Sequence, residues 1–280
     1  CSPVKRYPNG LIFFMDIETL TLERVDYNGG NREVVADLFP PIDPSGMAVD
    51  PVNRFVYWAE DEGGGAIRRA TLEGEIVQNR VGPLTHSTAV ALDLVNERFY
   101  FTDMYDDFIG AMNFDGSDPA QLIAWESGIA DPVGIAVDPA GGKMYWADSK
   151  RDSIWRANLD GTNEELIVQL TDGIPIPWDV QLDTDTGKVY WIDRWSNRIQ
   201  RSDLDGRNVE TLIQGNDTFL DSTTHQPRGL ALDLENGKMY WADEYHDAIR
   251  RANLDGTEIE DVITEGLSNV RALAVLPPEN

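Results

Sequence analysis

The feature that most constrains this chain is a short aromatic motif that returns six times. Val56-Tyr57-Trp58-Ala59-Glu60 is followed by Phe99-Tyr100-Phe101-Thr102-Asp103 and Met144-Tyr145-Trp146-Ala147-Asp148. Val189-Tyr190-Trp191-Ile192-Asp193 and Met239-Tyr240-Trp241-Ala242-Asp243 continue the series, and Phe13-Phe14-Met15-Asp16 is a degenerate first copy. The closing acids stand at positions 16, 60, 103, 148, 193 and 243, so successive copies are 44, 43, 45, 45 and 50 residues apart. A repeat of that length matches one four-stranded blade of a propeller.

Each copy carries four strand signals. An inner strand of small and apolar residues ends in Asp, as in Gly46 to Asp50, Ala89 to Asp93, Gly134 to Asp138, Asp179 to Asp183 and Gly229 to Asp233. A turn such as Gly141-Gly142, Thr186-Gly187 or Asn236-Gly237 leads to the aromatic strand, because tight hairpins need residues at positive φ. A third strand ends in Asn-Leu-Asp-Gly, as at Ile154 to Gly161 and Ile249 to Gly256, and an outer strand follows, as at Glu165 to Val168 and Glu210 to Ile213. Strand side chains alternate, so Tyr145 and Trp146 point to opposite faces and both are apolar. A sheet buried on both faces fits a blade held between two neighbours.

Arg271 to Leu276 repeats the inner-strand pattern with no aromatic strand after it, while Phe13 to Asp16 has no inner strand before it. The chain end is therefore expected to supply the missing inner strand of the first blade. That closure removes two exposed sheet edges. The expectation is a single all-β domain over residues 1–280, a six-bladed β-propeller with four antiparallel strands per blade and a closing strand at 271–276.

Inner Gly-Ile-Ala-Val-Asp, Tyr-Trp-x-Asp and Asn-Leu-Asp-Gly together resemble the YWTD propeller, the low-density lipoprotein receptor class B repeat, over residues 11–277. In animal receptors of that family a cysteine-rich EGF-like module follows the propeller. The one cysteine here, Cys1, allows neither that module nor an intrachain disulfide. The resemblance implies a stand-alone propeller that captures a peptide, a protein loop or a small ligand on its top face, outside the cell or in the cell envelope.

Composition narrows the partners. With 49 acidic against 23 basic residues the net charge is −26, which excludes a nucleic-acid partner. A hydrophobic share of 41% is enough for a core, so the charge does not imply disorder. Apolar runs are strand-length, and none spans a membrane as a helix. Cys1 followed by Ser2 has the form of a lipid-anchored N-terminus, or is only a boundary of the chain. A monomer is expected.

Function is sought where the repeat breaks. The residue before the inner-strand glycine or alanine is Ser45, Thr88, Val133, Trp178, Arg228 and Arg271 in turn. Blade five departs furthest, with Trp178-Asp179-Val180-Gln181 where other blades have small residues. The loops after the aromatic strands hold Tyr105, Arg194, Trp195, Tyr245 and His246, and the longest interval adds residues at Asn216 to Gln226. Both sets of loops belong to one face. Trp178, Trp195 and Tyr245 are candidate apolar platforms, with Tyr105, Arg194 and His246 in the same ring of loops. Arg228 and Arg271 are candidates to pair a carboxylate, and Asp179 and Gln181 to accept hydrogen bonds.

The repeated acids read as structural acceptors for backbone N–H groups or for Arg69, Arg156, Arg201 and Arg251. A second reading is a metal-assisted hydrolase or lyase at the channel mouth, resting on fold analogy with propeller lactonases. Asp179, His225, His246 and Glu60 would then hold Ca²⁺ or another divalent metal. No catalytic residue is assigned. Zinc spacing, an EF-hand run, a Gly-x-Ser-x-Gly elbow and phosphate or dinucleotide loops are all missing from the sequence. A third reading is an adhesive envelope protein.

Overall fold

The computed structural model describes residues 6–38, 44–60, 65–81, 86–215 and 226–279. Cys1, His225, Asp61-Glu62 and all of the 216–226 insertion but Gln226 lie outside them. Among the described residues, twenty-four strands form six four-stranded antiparallel sheets. The inner strands are Pro44–Asp50, Ala89–Asp93, Pro132–Asp138, Pro177–Asp183, Pro227–Asp233 and Val270–Leu276. Blade four shows the pattern: Pro132–Asp138, Lys143–Asp148, Ser153–Asn158 and Glu165–Gln169. A 3-10 turn at Trp125–Ser127 is the one helical element among the described residues, and no helix is long and apolar enough to cross a membrane.

The ring closes as the sequence predicts. Val270–Leu276 lies against Leu11–Asp16, with Leu276 opposite Leu11 and Ala274 opposite Phe13. The first blade is thus built from both ends of the chain.

Why six sheets pack as a ring follows from the aromatic pair. Trp146 packs with Tyr100, Ile109 and Ala89 of blade three, while Tyr145 packs with Trp191 and Val180 of blade five. The same division recurs: Tyr190 meets Trp241, Tyr240 lies with Phe14, Phe13 with Trp58, and Tyr57 with Phe99. Each Trp faces the preceding blade and each Tyr the following one. Trp58, Trp146, Trp191 and Trp241 are at most 1% exposed. Burying a side chain of that size removes enough apolar surface from water to contribute about 2–3 kcal/mol each.

The repeated acids cap turns. Asp50 and Asp93 accept the backbone N–H groups of Val52 and Asn53, and of Val95 and Asn96. Asp103, Asp148, Asp193 and Asp243 do the same for the turns after the aromatic strands. The repeated arginines do a different job from pairing these acids. Arg156 pairs with Glu165 of its own outer strand and donates to the carbonyl of Leu204 in the next blade, 2.9 Å away. Arg201 joins Glu210 to the Leu254 carbonyl, and Arg251 joins Glu260 to the Tyr27 carbonyl. Each guanidinium therefore ties two blades together. Arg69 departs from the set: it stacks over Phe55, and its Nε is buried without a partner.

Candidate functional site

Pairing such as Pro132 with Asp148 and Asp138 with Lys143 fixes the two ends of each inner strand. The strand starts, and the turns after the aromatic strands, share the top face. The Gly-rich hairpins share the bottom. An axial cavity of about 270 Å³ runs along the middle and lower parts of the inner strands, lined by Ala48, Ala91, Ala136, Ala231 and Ala274. Gln181 takes the place of the sixth alanine and is the single polar side chain in that lining.

Above it, on the rim over blades five, six and one, four predicted residues converge. Trp178 begins its inner strand half-buried, with the Arg228 guanidinium 4.9 Å and the Arg194 guanidinium 5.3 Å from its ring centre. Arg271 completes the group. All three arginines turn to one carboxylate, Glu244: Arg228 Nε at 2.6 Å, Arg194 Nη2 at 2.8 Å and Arg271 Nη2 at 3.8 Å from its oxygens. Three guanidiniums thus meet at one carboxylate.

Electrostatics follow from that count. Burial, together with the neighbouring Arg194 and Arg271, pushes the Arg228 guanidinium down to about 10 against the opposing pull of Glu244. Burial acts to raise Glu244, but Arg228 and Arg194 outweigh it and hold its carboxyl below the ordinary glutamate value. Arg194 also keeps a buried Nε–H with no acceptor. An unsatisfied buried donor of this kind costs about 1–3 kcal/mol.

Glu244 was not singled out in the sequence, although it follows the repeated acid of its blade. Its signal is an extra acid beside rim positions that hold arginine.

The other predicted residues lie apart from this cluster. Asp179 has both oxygens occupied, Oδ1 by its own strand's Val180 N–H and Oδ2 by Leu230 N–H of blade six. Burial pushes its carboxyl up to about 6. Trp195 is 53% exposed and borders a groove with Gly173, Ile174 and Gln214. Tyr245 stands exposed, edge-on to His246, whose Nδ1 lies 2.9 Å from Asp243. Tyr105 stacks near His86 on blade three. The proposed metal ligands are not brought together: among the described residues Glu60, Asp179 and His246 form no cluster of ligand atoms. Glu60 is buried between Trp58 Nε1 and Arg68.

A family model for the low-density lipoprotein receptor repeat class B matches residues 142–171 and 187–234. Those stretches run through blades four and five into the inner strand of blade six. Among solved structures, the chain is similar to one in a crystal structure of a nidogen/laminin complex. The TM-score is 0.79 and the identity 21%, covering 97% of this chain and 99% of that one. At that identity the likeness shows the fold. No curated protein matches the sequence.

Proposed function

Since the chain is a six-bladed β-propeller carrying low-density lipoprotein receptor class B repeats, we propose that it is a binding module for a carboxylate-bearing peptide or protein loop, held on the top face at Trp178, Arg194, Arg228 and Arg271. The observation that carries this reading is the convergence of three guanidiniums at one carboxylate, beside an indole, in a chain of net charge −26. The net charge as a whole disfavours an approaching anion. Here a carboxylate gains charge-assisted hydrogen bonds from planar forks. Trp178 offers a flat apolar neighbour, the pairing of aromatic and arginine that dominates interaction hot spots.

Exposed Trp195 and Tyr245 extend the face beyond the cluster, which favours a polypeptide over a small ion. The similar solved chain belongs to a protein–protein complex, which is consistent with a propeller of this kind serving as a docking module. The expected location outside the cell or in its envelope is part of the same proposal.

The test is a library of extended acidic peptides, with binding measured by calorimetry. The reading predicts binders whose affinity falls at least about tenfold in Trp178→Ala and in Arg228→Gln, as hot-spot truncation does. Equal affinity in the wild type and both variants, or a preference for basic peptides, would overturn it.

A further inference from the structure

A different cluster stands across the ring from Arg228, on the top of blade three. In every blade the acid that ends the aromatic strand is deeply buried. In blade three, as in most of the others, one of its oxygens caps the next turn. Asp103 Oδ1 does so, accepting Tyr105 N–H at 3.0 Å and Asp106 N–H at 2.9 Å. In blades one, four and six the second oxygen also has a partner. Asp16 Oδ2 accepts Ser268 N–H at 2.8 Å, Asp148 Oδ2 accepts Ala130 N–H at 3.0 Å, and Asp243 Oδ2 lies 3.2 Å from Arg250. Asp103 Oδ2 has no partner, although the residue is fully buried.

The second orphan lies beside it. His86 Nδ1 is buried and makes no hydrogen bond, and it sits 3.8 Å from Asp106 Oδ2. One ligand atom from each of His86, Asp103 and Asp106 falls within 4.8 Å of the others, the one such convergence of His, Cys, Asp and Glu among the described residues. The His86 ring is held against Tyr105, with ring centres 5.0 Å apart. Two buried, unsatisfied polar atoms in side chains that converge this closely are what a cation resolves.

We propose that His86, Asp103 and Asp106 form a binding site for a divalent transition-metal cation of the zinc or manganese kind. The donor set decides the class. An imidazole nitrogen with two carboxylates suits borderline metals, whereas Ca²⁺ and Mg²⁺ take oxygen ligands alone. Three protein ligands leave coordination positions open. His86 and Asp106 are partly exposed, so those positions face solvent at the top of the ring. A metal there places positive charge on the side of the mouth opposite the arginine cluster. The ligands are 17 and 3 residues apart in sequence (86 to 103, 103 to 106), which no metal-binding motif prescribes. The rival account is a protonated His86 paired with the two carboxylates, and it predicts no metal uptake.

The experiment uses the full chain in a Cys1→Ser background, so that the thiol contributes nothing, after dialysis against a chelator. Zn²⁺ is titrated by calorimetry, and Co²⁺ is used as an absorbance probe of the ligand field. The proposal predicts one equivalent bound, a visible Co²⁺ band and a rise in Tm with added metal. His86→Ala and Asp106→Asn each weaken binding at least about tenfold, by analogy with the loss seen when supporting groups of metal sites are removed. Both metal-free variants keep the wild-type circular dichroism and Tm, because the two side chains are partly exposed. Asp103→Asn also caps the turn and is a secondary test. Failure to take up Zn²⁺, Mn²⁺ or Co²⁺, or uptake with unchanged affinity in both His86→Ala and Asp106→Asn, overturns the site.

Discussion

Asp179 in the inner strand of blade five accepts the Leu230 N–H of blade six through Oδ2 at 2.7 Å. Other blades hold glycine or alanine at this place. The reason for the small residue is visible at Gly134, where a Cβ would lie 2.5 Å from the Asp179 Cα. Inner strands approach too closely there for most side chains. Asp179 is tolerated because its carboxylate supplies an acceptor to the neighbouring strand.

The burial of this carboxyl carries a pH signature, which the Leu230 bond opposes. Burial raises the Asp179 carboxyl from 3.8 to about 6, so the folded chain holds its proton more tightly than the unfolded chain. The stability it contributes is full below the unfolded value and is lost as pH rises through about 6. Asp148, raised to about 6 mainly by burial, has the same sign. Asp179→Asn removes one of the two contributions. Urea denaturation from pH 4 to pH 7 should show the variant gaining on the wild type by up to about 3 kcal/mol across that range.

Glu244 is the counter-charge of the rim. Glu244→Gln removes the carboxylate at which Arg194, Arg228 and Arg271 meet. Removing one partner of a largely buried ion group costs about 3–5 kcal/mol, less where solvent reaches it. We expect a loss of about 2–4 kcal/mol at low ionic strength. Sulfate should restore part of it by neutralising the guanidiniums, which calorimetric Tm scans with and without sulfate will show.

Glycine positions separate two kinds of cost. Gly187 has φ +72° with open space around it, so Gly187→Ala strains the backbone alone, by about 1–2 kcal/mol. Gly206 has φ +82°, and its Cβ would fall inside the carbonyl oxygen of Ile167 in blade four. Gly206→Ala must also push two blades apart. Its loss should exceed that of Gly187→Ala by at least about 1 kcal/mol in chemical denaturation.

Closure makes a prediction about length. A chain ending at Asn269 lacks the strand that pairs with Leu11–Asp16 and the buried Val270, Ala272, Leu273 and Leu276. It leaves an open sheet edge at the first blade. Such a chain should aggregate or lose cooperative unfolding, as size-exclusion chromatography and thermal melts will report.

The propeller was legible because its determinants repeat. Trp146, Tyr145 and Asp148 recur at fixed spacing, and each acts locally on a strand face or a turn. The closing strand was legible for the same reason, since Arg271 to Leu276 copies the inner pattern. Contacts between blades were less so. Arg156 reaches Leu204, 48 residues on, and nothing in the local pattern prefers that carbonyl over a repeated Asp. The grouping of Trp178, Arg194 and Arg228 on one rim followed from knowing which loops share a face. That Glu244 sits at their centre, that Asp179 is spent on Leu230, and that His86 meets Asp103 depend on side-chain directions that no spacing encodes.

The most direct test of the binding reading is footprinting of arginines with a guanidinium-specific reagent, read by mass spectrometry, with and without an acidic peptide. The account predicts that peptide slows modification of Arg194 and Arg271, the less buried of the three rim arginines, and leaves Arg207, exposed at 81% in a bottom-face hairpin, unchanged. Equal protection of Arg207 and the rim arginines, or no protection of the rim by any acidic peptide, would contradict it.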